Sequence, residues 1–136
     1  MEDCIFCKII DGKIPAAKVY EDAFVISFLD IMPANKGHCL VAPKIHAQTL
    51  VEMADNDLAA TILAAKKIAK ALSLGVGNAS FNMVMNNGKE AGQVVHHAHI
   101  HLIPRFQKDR LRIRWSHLKY EDGEINEFAE KIKKFI

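Results

Sequence analysis

The chain lacks most of the features that declare a function by composition alone. Its 136 residues hold three cysteines, Cys4, Cys7 and Cys39, too few and too odd in number for a disulfide framework. No apolar run approaches the ~20 residues that a membrane-crossing helix needs. The first residues, MEDCIFCKIIDG, are acidic and only briefly apolar, which is not the pattern of a signal peptide. Charge is nearly balanced at a formal +2, so there is no electrostatic case for a nucleic-acid or membrane partner. There is no repeat, low-complexity tract or linker. These absences predict a soluble, cytoplasmic, single domain spanning 1–136, long enough to bury a core and too short for two.

What is present is histidine. There are seven, and four of them, His96, His97, His99 and His101, fall within six positions. Around them the hydrophobic pattern predicts an α+β fold. Ile5 to Asp11 reads as a short helix stopped by Gly12. Lys18–Tyr20 and Ala23–Leu29 read as a hairpin, with Glu21 and Asp22 at the turn. The second strand is apolar on both parities and so should be covered on both faces. His38–Ala42 is a further strand ended by Pro43. Asp55 is the expected N-cap of a long helix whose Leu58, Ile62, Ala65, Ala69 and Leu72 recur at helical spacing, with Gly75 and Gly77 closing it. Phe81–Asn86 and Val94–Ile103 are the remaining strands. Glu124–Phe135 is a terminal amphipathic helix with Ile125, Phe128, Ala129 and Ile132 on its apolar side. Most of the links between strands are too short for parallel crossovers. The expectation is a five-stranded, mainly antiparallel sheet with two main helices on one of its faces.

Strand side chains alternate between faces. His97, His99 and His101 would therefore form a row, neighbours roughly 6–7 Å apart, with Ala98, Ile100 and Leu102 on the opposite face. Such a row suits a phosphate with several oxygens. Its middle imidazole is placed to attack phosphorus while the others bind oxygens or hold its orientation. Crowding also disfavours simultaneous protonation, which keeps a neutral ring available. The bland alternative is a polar surface strand, which three alternating histidines beside an apolar alternate face argue against. His96 has the other parity and takes no part.

Gly92-Gln93-Val94-Val95-His96-His97-Ala98-His99-Ile100-His101-Leu102-Ile103 resembles the signature of the histidine-triad (HIT) family, His-φ-His-φ-His-φ-φ with a preceding Gln. Cys4 to Ile10, Gly12 to Pro15, Phe28 to Ile31, Gly37-His38, Val41 to Lys44 and Asn86 to Gly88 also resemble that family's segments, in its order. The resemblance implies a homodimer whose two sheets join, with a purine nucleotide in a cleft on each subunit. It implies hydrolysis or transfer at the α-phosphate of a nucleoside phosphoramidate, adenylate or dinucleoside polyphosphate. It assigns the nucleophile to His99, a phosphate contact to His101, and phosphate or leaving-group oxygens to Gln93. Asp30 would bind ribose hydroxyls, Phe6 and Ile31 would lie against the base, and Asn86 would sit near the phosphate. Each role suits its side chain: a carboxylate accepts two hydroxyl hydrogen bonds, and apolar walls suit a base. Without the resemblance these residues read as surface, core and turn.

One departure matters. Where many members carry Ser or Thr after the Gln, this chain has Val94, which has no proton to give the leaving group. Unassisted departure would favour substrates with good leaving groups. It also keeps alive an alternative, a slow-turnover sensor or scaffold that binds purine nucleotides. A third reading is a zinc-stabilised partner-binding domain without chemistry.

Cys4-x-x-Cys7 has a common zinc spacing. A closed site needs two more ligands, and His46 is one candidate. The resemblance to bacterial and archaeal members supplies the set Cys4, Cys7, His46 and His97 around a structural zinc. The alternatives are a pair of buried thiols or a redox pair, the latter weakened by the absence of a following βαβ pattern. Cys39 reads as core. Arg105, Lys108, Arg110, Arg112 and Arg114 form a basic segment, read first as solvated and second as a phosphate contact. The resemblance implies that Trp115 would reach the partner subunit's pocket, as C-terminal residues can in this family.

Overall fold

The computed structural model describes residues 3–77, 80–112 and 115–136. The order of elements is α1 (Ile5–Ile10), β1 (Lys18–Glu21), β2 (Val25–Leu29), β3 (Cys39–Pro43), α2 (Asp55–Gly75), β4 (Phe81–Val84), β5 (Ile100–Pro104) and α3 (Glu124–Lys133). The strands form one sheet in the order β1-β2-β3-β5-β4, and every neighbouring pair is antiparallel. Asp22 holds the first hairpin: its carboxylate accepts from the Phe24 and Val25 amides and from the Tyr20 hydroxyl.

The apolar parity of the strands divides the core in two. Val25, Cys39, Val41, Ile100 and Leu102 pack against Ala65, Ile68 and Leu72 of α2. Ile26, Phe28, Leu40 and Ala42 pack against Phe6 and Ile9 of α1. Helices therefore cover both faces, not one. The small α1 covers the second face because Phe6 and Ile9 supply enough apolar surface to shield it, and β2 is buried on both sides as its sequence requires.

Two of the boundaries that differ from the sequence reading bear on the site. Asp55 is the first residue of α2, not its cap. The cap is Ala54, which makes no side-chain bond, while Asp55 and Asp57 lie in the first turn, where the helix dipole favours negative charge. The last strand begins at Ile100, not Val94. Residues 94–99 run outside the ladder because hydrogen bonds to other parts of the chain hold them instead. The Gln93 carboxamide ties the loop to Gly88, Gln48 and Val95, and the Ala98 amide donates to the Ala47 carbonyl at 2.7 Å. The terminal helix α3 forms where expected but buries none of its residues against its own chain.

Gly37 shapes the entry to β3. Its φ is +91°, and a Cβ there would meet side-chain atoms of Val76, Leu72 and Pro104 at 3.2–3.4 Å. Glycine permits both the backbone and the close approach, and so sets His38 at the head of the strand.

Candidate functional site

The alternation read from the sequence survives although most of the row lies outside the strand. Ala98, Ile100 and Leu102 are buried toward the α2 side. His97, His99 and His101 lie on the α1 face, where the Phe6 ring stands edge-on to His99 at 5.0 Å and tilted against His97 at 5.7 Å. The His99 and His101 rings are 4.8 Å apart.

The hydrogen bonds fix which nitrogen of each ring carries the proton. His99 Nδ1 contacts the carbonyl of His97. A carbonyl only accepts, so Nδ1 is protonated and Nε2 keeps its lone pair. His97 Nε2 donates to the Pro43 carbonyl at 2.9 Å, so its free lone pair is on Nδ1. His38 Nδ1 accepts from the Ala34 amide at 3.2 Å. Its Nε2–H therefore donates to His101 Nδ1, 2.9 Å away, and leaves His101 with a proton on Nε2. Burial comes first among the causes that lower the affinity of all four rings for a second proton. For His101, burial and the neighbouring His99 and His38 bring the pKa down to about 4. The site thus sets a free ring nitrogen of His99 beside an N–H donor on His101.

A cavity of about 390 Å³ opens in front of this pair. Phe6, Phe28 and Leu40 line it, with Ile31 and Val94 exposed and Asp30, Asn86, His99 and His101 as its polar side chains. Asp30 accepts from the Met32 amide through one oxygen and lies 3.6 Å from His38 Nδ1 through the other. Asn86 reaches toward the Gly92 carbonyl at 3.5 Å. Gln93, expected on the phosphate, does not line the cavity. Its oxygen accepts from the Gly88 amide, and its two amide hydrogens serve the Gln48 and Val95 carbonyls. In this geometry it holds the loop.

A second cluster lies behind the first. His97 Nδ1 is 3.5 Å from Cys4 Sγ, 3.7 Å from Cys7 Sγ and 3.3 Å from His46 Nδ1, and Cys7 Sγ is 3.4 Å from His46 Nδ1. A tetrahedral ion about 2.3 Å from sulfur and about 2.0–2.1 Å from nitrogen spaces its donors roughly 3.3–3.8 Å apart. The four side chains match that spacing and can hold a metal. The His97 tautomer fits as well, because its Nε2–H is anchored and Nδ1 is the nitrogen facing the cluster. Burial, with the Cys4 sulfur second, pushes the Cys7 thiol up to about 11. Asp30, His38 and His101 also lie close together, but they form a chain. His38 faces Asp30 with one nitrogen and His101 with the other, so the three donors do not converge on one point.

His38 is the residue that the sequence reading left without a role. Its signal is parity. Leu40 lies directly opposite His101, so His38, two residues before Leu40, shares the histidines' face, but this becomes visible only once the pairing is known. The basic segment divides. Arg105 is bound bidentately to Asp109 and also donates to Asn82 and to the Leu111 carbonyl, so it is a structural tie. Lys108, Arg110 and Arg112 are exposed, and Arg114 lies outside the described residues. Trp115 is exposed.

The HIT domain family pattern matches residues 11–108. The chain is 40% identical over 134 residues to an adenosine 5'-monophosphoramidase of Schizosaccharomyces pombe, with 98% of each protein covered. It is 45% identical over 109 residues to an adenylylsulfatase of Arabidopsis thaliana, covering 80% of this chain and 55% of that one. A HIT-family structure from Bacillus subtilis superimposes with a TM-score of 0.92 at 41% identity, covering 98% of this chain and 97% of that one. A zinc-bound histidine triad protein from Mycobacterium smegmatis superimposes with a TM-score of 0.78 at 32% identity, with 98% and 97% covered. With the match over most of its length, and with the histidine cluster and cavity in place, the chain belongs to the HIT domain family.

Proposed function

We propose that the protein hydrolyses or transfers the nucleotidyl group of a nucleoside 5'-phosphate derivative through a covalent intermediate on His99. The observation that carries this reading is the His99–His97 carbonyl bond, which leaves a neutral Nε2 lone pair on a ring lining the cavity. The nucleotide's base would rest among Phe6, Ile31 and the other apolar walls. Asp30 would accept hydrogen bonds from the ribose hydroxyls. His101 Nε2–H and Asn86 would meet the α-phosphate oxygens. Gln93 would act by holding the Gly88–Val95 loop that carries Val94.

In the first step His99 Nε2 bonds to phosphorus, and the bond to the leaving group breaks with its electron pair going to that group. In the second, water adds to phosphorus, a proton passes to solvent and the P–N bond breaks, restoring the lone pair. The proton stays on Nδ1 throughout, donated to the His97 carbonyl, whose oxygen stabilises positive charge on the ring as the intermediate forms. The relatives named as a phosphoramidase and an adenylylsulfatase support hydrolysis at this phosphorus.

The reading includes a structural zinc at Cys4, Cys7, His46 and His97. Two sulfurs and two imidazoles suit zinc, and four protein ligands leave no open position for catalysis. When bound, the ion supplies a cross-link and no chemistry of its own. A reducing, cytoplasmic setting suits cysteines that must act as thiolates. The reading also includes a homodimer joined at β4. That strand is one of the two edges of the sheet, and Phe81 and Met83 are exposed on it beside Ile62 of α2. A second reading, a nucleotide sensor with slow turnover, draws on Val94, which brings no proton donor to the cavity.

Trapping decides between them. Acid-stable capture fails for a phosphoramidate adduct, so the mixture is quenched in alkali with α-labelled substrate. Label on wild type and none on His99→Ala, which still binds nucleotide, is the expected result. Equal label on both proteins would remove His99 as nucleophile.

A further inference from the structure

The sheet does not aim the His99 ring. β5 begins at Ile100, so His99 and the His97 carbonyl that accepts from its Nδ1 both lie before the ladder. Where that carbonyl stands depends on what holds residue 97. Its amide donates to the Val95 carbonyl at 2.8 Å, a bond within the same loop. Its ring donates through Nε2 to the Pro43 carbonyl, at the end of β3, at 2.9 Å. A single hydrogen bond at one corner leaves a ring free to rock about it. The opposite corner, Nδ1, faces Cys4 Sγ, Cys7 Sγ and His46 Nδ1 at 3.3–3.7 Å. A ligand bond there would hold the imidazole at two points and fix its plane. His97 is fully buried, and only two single bonds separate its ring from its backbone, so the carbonyl follows the ring.

The cluster reaches His99 by a second route. Cys4 and Cys7 flank Phe6 at the start of α1, and the Phe6 and His99 ring centres are 5.0 Å apart. α1 is six residues long, too short to hold itself, so Phe6 stands where the ties of α1 place it. His46 joins both routes to the sheet. It follows β3 and precedes Ala47, whose carbonyl accepts from the Ala98 amide at 2.7 Å. The segments His46-Ala47 and His97-Ala98 are therefore paired, and the cluster spans the pair.

We infer that His46 is a positioning residue for the proposed reaction: as a ligand of the metal shared with Cys4, Cys7 and His97, it holds the His97 carbonyl and the Phe6 ring against His99 and keeps Nε2 aimed into the cavity. This rests on His99 as the nucleophile and on zinc in the cluster. His46 lies behind the reacting ring and touches no substrate, so it acts only through His97 and α1. A misplacement of about 1 Å at a reacting atom costs roughly 10²-fold in rate. What counts at position 46 is ligation, so a different zinc ligand there should serve, and a side chain that does not ligate should let His99 turn.

The test compares wild type, His46→Ala and His46→Cys, each supplied with zinc. His46→Cys keeps four ligands in a Cys₃His set, which zinc accepts. Nitrogen NMR reads the His99 tautomer, and single-turnover labelling by adenosine 5'-phosphoramidate, labelled at phosphorus, reads the rate. Wild type should show His99 in the Nδ1–H form alone. His46→Ala should show a mixture of the two forms and a labelling rate lower by about tenfold or more. His46→Cys should restore both. Protected amides in β2 and α2 of every variant separate loss of aim from loss of fold. Should His46→Ala unfold, His46→Gln, which refills the space with a poor zinc ligand, takes its place. A single Nδ1–H form and an unchanged rate in the non-ligating variant would overturn the inference. So would a zinc-loaded His46→Cys as slow as that variant, or a wild type with less than a tenth of an equivalent of zinc. No label on wild type would overturn the proposed reaction, while the His99 tautomer would still decide whether His46 positions the ring.

Discussion

Which nitrogen of each histidine holds the proton decides what this site can do. The arrangement is enforced by groups that cannot be reversed: two carbonyls accept from His99 and His97, and a backbone amide donates to His38. His38 then fixes His101. It is a positioning residue, and its removal should show in His101 before it shows in substrate affinity. In His38→Ala, nitrogen NMR should find His101 as a mixture of tautomers where wild type shows the Nε2–H form alone. The expected loss is about tenfold in kcat with little change in KM. An unchanged His101 spectrum would contradict the relay. The same rings make stability depend on pH. The folded protein holds His101 at about 4, below the ~6.5 of an unfolded histidine. Between those values the unfolded chain binds the extra proton and the folded one does not. This contribution is therefore full above about pH 6.5 and is lost as pH falls toward 4. His38, His97 and His99 act in the same direction. Denaturation midpoints should be lower at pH 5 than at pH 7, and equal midpoints would count against neutral buried rings.

At the scale of elements, the four-residue cluster ties together parts that the sheet ladder does not. Cys4 and Cys7 stand at the start of α1, with Cys4 capping the helix through its sulfur. His46 follows β3 and His97 precedes β5. An ion there would fasten α1 to the segment carrying His99, through the same His97 whose carbonyl orients that ring. Purified protein should hold about one equivalent of zinc per chain, and chelation should lower the thermal midpoint and increase amide exchange in α1. Less than a tenth of an equivalent, with no change on chelation, would rule the zinc out.

Much of this was legible beforehand, because parity survives where a ladder does not. The face shared by His97, His99 and His101 follows from alternation, even though only His101 lies within β5. The extent of β5 was not legible, because Gln93 and the Ala98–Ala47 bond hold the preceding residues, and those contacts join distant parts of the chain. The apolar residues on both parities of β2 likewise mark it as buried on both faces, while the helix that covers its second face is only six residues long and carries just two buried side chains, too few for a periodic apolar pattern. His38 remained silent for the same reason: its function depends on the register of β3 against β5.

At the scale of the molecule, the single chain leaves apolar surface without cover. Phe81 and Met83 are exposed on the edge strand, and Ile125, Phe128 and Ile132 of α3 are exposed on a helix that touches little else. Unpaired edges and bare amphipathic helices are costly in water. A homodimer that continues the sheet through β4 would remove the edge. Sedimentation should give twice the mass of the chain, and Met83→Lys, which places charge on that edge, should shift it toward the monomer. A monomeric wild type at micromolar concentration would contradict the joined sheets.

The claim on which the rest depends is that reaction passes through His99 rather than by direct attack of water. Two displacements at phosphorus restore its configuration, and one inverts it. A substrate with a chiral α-phosphorothioate, turned over in isotopically labelled water, separates the two routes in one measurement. Retention of configuration at phosphorus is the expected result, and inversion would contradict the His99 intermediate.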